Sequence, residues 1–251
     1  MDSQMLQSGI AERLPRSEYD FDVMAKMYDT MGKEYEDYIL EDEGRMRCLH
    51  WILQELALRE SSGTLEARYL VDLGCASGRP TVQALAEGLQ KQRKALSSQT
   101  SDEVIGIDLS PGQLEIARSQ CDMPGVRFEL ADLREWEPPA NQLPKGCHAV
   151  TSFYVLNHLP FEDYGAAINR MASWLKPGGL MALGVVAGVN GKVHGWFGFE
   201  VTTTSVPLPE TVKLVEASGC EVLKFYEEEW KSQGRPDSRP KVNQFIWARK
   251  T

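Results

Sequence analysis

The sequence lacks the cysteine spacings that bind metals or build disulfide frameworks. Its five cysteines are odd in number, and the two closest, Cys121 and Cys147, lie 26 positions apart (147 minus 121). No Cys-x-x-Cys pair exists, so neither a structural zinc site nor a disulfide scaffold is expected. Five reduced, buried thiols and no bound metal are the prediction.

Long apolar runs and an excess of positive charge are also lacking. No stretch approaches the roughly 18 apolar residues of a membrane span, and the first twenty residues have no apolar core of signal-peptide length. Asp and Glu number 36 against 27 Lys and Arg, which gives a net charge of -9. Such a charge does not attract nucleic acid or anionic lipid. We therefore predict a cytoplasmic protein that binds neither nucleic acid nor membrane.

What the 251 residues do contain is a regular alternation of apolar strands and amphipathic helices. It begins with the segment "ARYLVDLG" and continues to the carboxyl terminus. This alternation predicts an α/β fold with a mostly parallel sheet and helices on both faces. Two helical segments precede it, at 19–38 and 44–60, and Gly32 is expected to break the first into two pieces.

A turn of small residues, "DLGCASG", follows the first predicted strand. Its spacing is Asp72-x-Gly74-x-Ala76-x-Gly78. Small residues let the backbone approach a ligand closely, and the next helix offers free N–H groups. The spacing differs from the dinucleotide pattern G-x-G-x-x-G, and no Gly-Lys-Ser/Thr follows as in a P-loop. The turn therefore indicates a ligand other than a nicotinamide dinucleotide or a nucleoside triphosphate.

Two further carboxylates stand at the ends of the next two predicted strands. Asp108 ends "VIGIDLS", where a carboxylate can accept both hydroxyls of a ribose. Asp132 ends "FELADL", where an adenine amino group would lie. Each acidic residue is weak evidence alone. Three acidic residues at successive strand ends, in this order, together form a specific pattern.

In these motifs the sequence resembles the class I S-adenosylmethionine-dependent methyltransferases. The family turn D-x-G-x-G-x-G matches "DLGCASG" with Ala76 replacing the middle glycine, and "GIDLSPGQLEIAR", "ADLREW" and "WLKPGGLMAL" resemble three later family motifs. "YDTMGKEYEDY" resembles a segment of the small-molecule branch that includes ubiquinone/menaquinone-type and secondary-metabolite enzymes. The resemblance implies a Rossmann-like seven-stranded sheet whose last strand is antiparallel. It also implies an N-terminal arm and helical lid (1–60), a cofactor-binding core (61–251) and an acceptor-site loop at about 187–206.

The resemblance assigns cofactor-binding roles by position. The turn would wrap the methionine part, Asp108 would hold the ribose, and Asp132 would face the adenine. The residues implied to bind S-adenosyl-L-methionine are Tyr28, Tyr35, Asp72, Gly74, Cys75, Ala76, Gly78, Asp108, Leu109, Asp132, Leu133, Ser152, Phe153 and Tyr154. The methyl group of Ala76 would be tolerated at negative φ and strained at positive φ.

Alternatives stay open for the chemistry. His158, just after the fourth strand, and His194, in the loop after the fifth, are the candidate catalytic bases, although either fits a structural role. The segment "GWFGFEVTTTS" suits a flexible aromatic lid or a hairpin with one buried face. The predicted function is O- or N-methylation of a small molecule in secondary metabolism. A methyltransferase-like enzyme that catalyses a cyclisation or isomerisation is the alternative, and a homodimer is left open.

Overall fold

The computed structural model describes residues 14–39, 42–60, 66–139, 145–188, 190–231 and 241–251, and gives residues 60, 194 and 195 as backbone alone. Within those ranges no helix combines the length and apolar character needed to cross a bilayer. The first thirteen residues, predicted to be part of an N-terminal arm, lie outside the described residues.

The centre of the fold is a seven-stranded sheet, with two further strands forming a separate hairpin. The strands in chain order are β1 (Tyr69–Leu73), β2 (Glu103–Asp108), β3 (Val126–Leu130), β4 (Cys147–Phe153), β5 (Leu175–Ala187), β6 (Gly191–Trp196), β7 (Phe199–Thr203), β8 (Cys220–Trp230) and β9 (Lys241–Lys250). Their spatial order is β3-β2-β1-β4-β5-β9-β8. The strands from β3 to β5 are parallel, whereas β9 runs antiparallel to both β5 and β8. The predicted mostly parallel sheet with an antiparallel last strand is confirmed.

Helices cover both faces of this sheet, as the alternating pattern predicts. The helices are α1 (Phe21–Ile39), α2 (Glu43–Glu60), α3 (Thr81–Ala95), α4 (Pro111–Gln120), α5 (Phe161–Trp174) and α6 (Leu208–Ala217). On one face, Val71 and Leu73 share a buried cluster with Ile168 of α5. On the other, Leu70 shares a cluster with Leu85 of α3. Successive strand residues point to opposite faces, so β1 is apolar throughout because both faces are covered.

Helix α1 is kinked at Gly32 and held against α4. Gly32 has φ 48°, outside the helical region, so the predicted break is confirmed. Asp29 accepts a hydrogen bond from the N–H of Gly112 at 2.7 Å, and the amide of Gln113 donates to the carbonyl of Tyr28 at 2.8 Å. Because these bonds join α1 to the start of α4, they fix the helix above the carboxyl ends of β1 and β2.

Two segments that follow β4 along the chain depart from simple strands and loops. Strand β5 begins at Leu175, before the residues "KPGG". Its pairing with β4 shifts from Cys147–Leu175 to Ala149–Leu180, so the intervening residues form a bulge within the strand. The segment "GWFGFEVTTTS" forms part of the β6–β7 hairpin. Of its two alternatives, the structure therefore shows the hairpin.

Candidate functional site

A cavity opens at the carboxyl ends of β1 to β4, beneath α1. Ligands of open parallel sheets bind at this edge. Most of the residues predicted to bind a cofactor line it, although they are spread over much of the sequence. The predicted residues that line the cavity are Tyr28, Tyr35, Gly74, Ala76, Asp108, Leu109, Asp132, Leu133, Phe153, Tyr154 and His158.

The turn between β1 and α3 is shaped so that its backbone borders this cavity. Gly74 has φ 68°, and a Cβ placed there would lie 2.0 Å from Cγ2 of Val155. The N–H groups of Gly74 and Cys75 both donate to the carbonyl of Ile107, at 2.8 and 3.0 Å. These bonds tie the turn to β2, so the small residues serve a close approach between two segments.

Ala76 occupies the left-handed region of backbone space, with φ 46°. The sequence alone does not determine whether φ at Ala76 is negative or positive. The structure shows the positive value, which is the strained one for alanine. An alanine there carries a steric cost that a glycine does not. The N–H of Ala76 donates to Oδ2 of Asp108 at 2.8 Å, which holds the residue in that conformation.

Asp108 is the carboxylate at the centre of the cavity rim. Its Oδ1 accepts the N–H of Ser110 at 2.8 Å while its Oδ2 accepts the N–H of Ala76. Burial raises the pKa of Asp108 above its ordinary value, and the backbone N–H bonds partly oppose that shift. The backbone N–H of Leu109 also stabilises the ionised carboxylate. A carboxylate has about four acceptor positions, so Asp108 retains capacity for a further hydroxyl donor.

Asp72 lies behind the cavity wall rather than on it. Its carboxylate is buried and accepts a hydrogen bond from the hydroxyl of Thr151 at 2.6 Å. Burial raises the pKa of Asp72 to about 7, while the Thr151 bond and the charge of Arg45 oppose the increase. Its hydrogen bond therefore links β1 to β4, and a role for Asp72 in orienting the turn remains a prediction.

Three other predicted cofactor residues also stay behind the wall. Cys75 is buried, and its thiol faces the position where a Cβ of Gly106 would stand, at 2.9 Å. Gly78 packs against Phe128, and Ser152 is buried with a hydroxyl that has no hydrogen-bond partner within the described chain. We therefore expect these three residues to contribute to cofactor binding only through their backbone or indirectly.

Asp132 lines the cavity but is engaged by a neighbouring cation. Its Oδ1 accepts both the backbone N–H and the Nε of Arg134, at 2.8 and 3.0 Å. The guanidinium of Arg134 in turn lies 3.5 Å from the ring centroid of Phe21. These bonds lower the pKa of Asp132 although burial opposes them, so the carboxylate is ionised and fixed in place.

An aromatic and imidazole cluster closes the cavity beneath α1. The rings of Tyr28 and Tyr35 meet edge to face at 5.0 Å, and the hydroxyl of Tyr28 lies 2.8 Å from Nε2 of His158. Burial and the nearby charge of Lys241 lower the pKa of His158 to about 4. The ring is therefore neutral at pH 7, and its Nδ1 has no hydrogen-bond partner in the described residues.

The end of β4 is strained next to this cluster. Tyr154 has φ 64°, an uncommon angle for a bulky residue. Its hydroxyl donates to Asp42 and accepts a bond from the amide of Asn243 at 2.8 Å. The guanidinium of Arg45 lies 5.0 Å from the same ring's centroid. Strain supported by a dense polar network is characteristic of functional sites.

A second cavity adjoins the first. The two share the side chains of Tyr28, Tyr35, Tyr154 and His158. The remaining walls of the second cavity are mostly aromatic or apolar and come from α1, the β6–β7 hairpin, β8 and β9. They include Tyr38, Ile39, Val193, Trp196, Val201, Trp230 and Lys241. Because the shared residues lie at the junction, a molecule in one cavity would meet a molecule in the other there.

Sequence reasoning missed much of this second cavity and part of the first. Trp230, Lys241 and Asn243 come from the last two strands, where no motif marks them. Phe21 and Met24 lie on the first turns of α1 and had only a helical apolar spacing as their signal. His194 lies on β6, but its side chain falls outside the described residues.

The first cavity fits a nucleoside joined to an amino acid on three observations. Position 74 leaves no room for a side chain, Asp108 retains acceptor capacity for a hydroxyl, and apolar side chains flank it. Behind the cavity, Nη2 of Arg45 is buried without a hydrogen-bond partner in the described ranges. Both the shape and the donor set therefore suit a ligand that combines hydroxyls, a flat ring and charged ends.

Residues 70–179 match the family model described as "Methyltransferase domain". The chain is 35% identical over 120 residues to a trans-aconitate 2-methyltransferase of Methylobacterium radiotolerans. That alignment spans 47% of this chain and 38% of the relative, so less than half of either chain is compared.

Solved structures match over nearly the whole chain. The (4+2)-cyclase SpnF superposes with a TM-score of 0.61 at 16% identity, over 95% of this chain and 98% of that one. The 1,6-didemethyltoxoflavin-N1-methyltransferase of Burkholderia thailandensis, solved with its substrate and S-adenosylhomocysteine, superposes with a TM-score of 0.58 at 18% identity. That match covers 96% of this chain and 92% of the other. At these identities the likeness shows the Rossmann-like fold.

Proposed function

We propose that this protein is an S-adenosylmethionine-dependent methyltransferase of small molecules, because residues 70–179 match the methyltransferase domain model and the chain has a Rossmann-like fold. The observation that carries the proposal is the cavity at the strand ends, where a glycine turn, a rim carboxylate and aromatic side chains converge. The adjoining aromatic cavity supplies room for an acceptor.

The residues of the first cavity would hold the cofactor as follows. Asp108 would accept a ribose hydroxyl, using the acceptor capacity that its backbone donors leave free. Leu109 and Leu133 would pack against the adenine, with the fixed carboxylate of Asp132 beside them. The turn at Gly74 would pass along the methionine part, as the family resemblance implies.

When bound, S-adenosylmethionine supplies an activated methyl group on a sulfonium. Tyr28 and Tyr35 line both cavities and would place aromatic faces beside that positive charge, an attraction of about 0.5–2 kcal/mol. The same rings would exclude water from the junction. Alignment of two bound partners can lower a barrier by roughly 7–11 kcal/mol.

His158 would act here mainly as a positioning residue. With a pKa of about 4, its neutral ring is a weak base at pH 7. It lies beside the hydroxyl of Tyr28 and so orients that ring at the junction of the cavities. A catalytic role for His158 or His194 remains a prediction, and it would matter most for an acceptor that must lose a proton.

O- or N-methylation in secondary metabolism remains the finer part of this proposal. The mostly apolar second cavity favours a small acceptor over a polymer. The alternative of a non-methylating cyclase gains no support, because the likeness to SpnF is one of fold alone.

The proposal is tested by incubating the protein with methyl-labelled S-adenosylmethionine and a panel of small phenols, carboxylic acids and amines. S-adenosylhomocysteine should form in proportion to a methylated product with at least one acceptor class. An Asp108→Ala variant is the negative control. Conversion of an acceptor into an isomer without S-adenosylhomocysteine would replace the proposal by its alternative.

A further inference from the structure

The second cavity contains a half-buried cation without an anionic partner among the described residues. Lys241 opens β9, and its Nζ lies 3.8 Å from the ring centroid of Trp196 and 5.3 Å from that of Tyr38. No carboxylate within the described ranges forms an ion pair with it. An ammonium group largely removed from water is unfavourable unless an anion or a ring of suitable geometry compensates it.

The carboxylate that lines the same cavity is already engaged. Asp42 accepts the backbone N–H of Arg45 at 3.0 Å and faces the Arg45 guanidinium, with Nε 3.5 Å from Oδ2. It also accepts the hydroxyl hydrogen of Tyr154. Two hydrogen bonds and the ion pair with Arg45 therefore engage Asp42, and no ion pair joins it to Lys241.

The walls around Lys241 favour a flat, apolar ligand body. Tyr38 meets Trp196 edge to face at 5.1 Å and Trp230 at 5.0 Å. The indole N–H of Trp196 is buried without a hydrogen-bond acceptor in the described chain. Aromatic walls with a few convergent polar groups are typical of sites that orient a small molecule by one polar end.

We propose that the acceptor is a planar, largely apolar molecule with one acidic oxygen group, a carboxylate or an ionised phenol or enol, whose charge pairs with Lys241. This inference rests on the proposed function, because it names the occupant of the acceptor cavity. It agrees with the weak base at the junction, since an ionised oxygen needs no proton removed. Burial lowers the pKa of Lys241 to about 8, so most of the group is charged at pH 7.

The test uses 2-naphthoate and its neutral analogue 2-naphthamide as probes, titrated by calorimetry with and without S-adenosylhomocysteine. The two probes share a ring system and differ in charge. The wild-type protein should bind the acid more tightly by about tenfold or more, the usual worth of a charged hydrogen bond. Lys241→Met should remove that preference, and Lys241→Arg should retain most of it.

Lys224→Met is the matched control. Lys224 also lies over aromatic rings, 4.5 Å from the centroid of Trp247, but it does not line the cavity. Its loss changes the net charge equally and should leave the preference for the acid intact. A preference that falls equally in both methionine variants would reflect net charge and overturn the inference.

The outcomes separate the inference from the proposed function. Equal affinity for acid and amide in the wild-type protein, or saturable binding of neither, overturns the inference even where S-adenosylhomocysteine binds. Failure of S-adenosylhomocysteine to bind overturns the proposed function, while the probe titrations without it still decide the role of Lys241. If Lys241→Met fails to fold, the wild-type preference and the Lys241→Arg variant decide.

Discussion

The two adjoining cavities differ in how their polar groups are bonded. In the first, the polar groups are already bonded to the protein: Asp108 to two backbone N–H groups, and Asp132 to Arg134. In the second, the ammonium of Lys241 has aromatic contacts but no ion pair among the described residues, and the indole N–H of Trp196 has no acceptor there. One cavity is preorganised by its own chain, whereas in the other the proposed ligand would supply the compensating charge.

The difference matches the separate tasks proposed for the two cavities. A cofactor shared by a whole family can be held by groups that short loops fix at strand ends. An acceptor specific to one enzyme is selected by side chains gathered from distant segments, here the α1 helix, the hairpin and the last two strands. Substitutions in the two cavities should therefore affect different ligands.

Asp108→Ala should give the largest effect on the first cavity. The ribose would lose a charged hydrogen-bond acceptor worth about 1.5–3 kcal/mol, so the affinity for S-adenosylhomocysteine should fall by about tenfold or more. Calorimetry measures the change, and Asp122→Ala on the exposed surface is the control. An unchanged dissociation constant would remove the ribose role from Asp108.

Gly78→Val should disrupt the turn that borders the first cavity. A Cβ at Gly78 would lie 3.0 Å from Phe128 and 3.1 Å from the thiol of Cys121, at a φ of 77°. Strain and overpacking should together lower the free energy of unfolding by about 2–4 kcal/mol and weaken cofactor binding.

Gly198→Val separates strain from packing in that comparison. Gly198 has φ 86° but nothing within 4 Å of an added Cβ. The Gly198→Val variant should lose stability through strain alone and keep its affinity for S-adenosylhomocysteine. Equal loss of affinity in both variants would contradict a specific role for the Gly78 turn.

The titration of His158 tests the electrostatic link between the cavities. Its pKa of about 4 is lowered first by burial and then by the charge of Lys241. Lys241→Met should raise the His158 pKa towards 6.5 by a fraction of a unit to about one unit, whereas Lys224→Met should not. Histidine NMR of labelled protein measures both, with His158→Gln for assignment. A His158 pKa unmoved by Lys241→Met would show that the two groups do not interact.

The lowered pKa of His158 also predicts the direction in which this residue changes the stability at acid pH. Its folded-state pKa lies below the ordinary 6.5, so protonation favours the unfolded chain. The contribution of His158 to the free energy of unfolding should decrease as the pH falls from about 6.5 towards 4, whereas Asp72, with its pKa raised to about 7, contributes the opposite sign. The stability difference between the wild-type protein and His158→Gln, measured by chemical unfolding, isolates the histidine and should shift in favour of the variant over that window.

Ala76→Gly should give the smallest effect and the opposite sign. Ala76 holds a positive φ that costs an L-residue about 1–2 kcal/mol, and glycine relieves that strain. Because glycine also gains freedom in the unfolded chain, the net change should be between zero and about 1 kcal/mol of stabilisation. Thermal unfolding measures it, and a clear loss of stability would contradict the strained conformation.

Much of the sheet and the first cavity could be predicted because their signals are local. The apolar run of β1 and the acids Asp72 and Asp108 stand at fixed positions relative to the strand ends. Parallel strands bring those ends to one edge, so sequence order alone places the side chains together. The break at Gly32 is equally local, since glycine permits the angle found there.

The rest depends on contacts between distant segments. Lys241 and Trp196 meet through the fold, and neither belongs to a motif that sequence can reveal. The engagement of Asp132 by Arg134 and the burial of Cys75 also follow from side-chain packing. The sign of φ at Ala76 was open because it is set by bonds to Asp108, which only the folded turn brings near.

The central claim is that the first cavity binds the proposed cofactor. A calorimetric titration of the purified protein with S-adenosylhomocysteine measures this, with NADH as the comparison ligand. We expect saturable binding of one S-adenosylhomocysteine per chain and none of NADH. An absence of saturable S-adenosylhomocysteine binding by the folded protein would contradict the account.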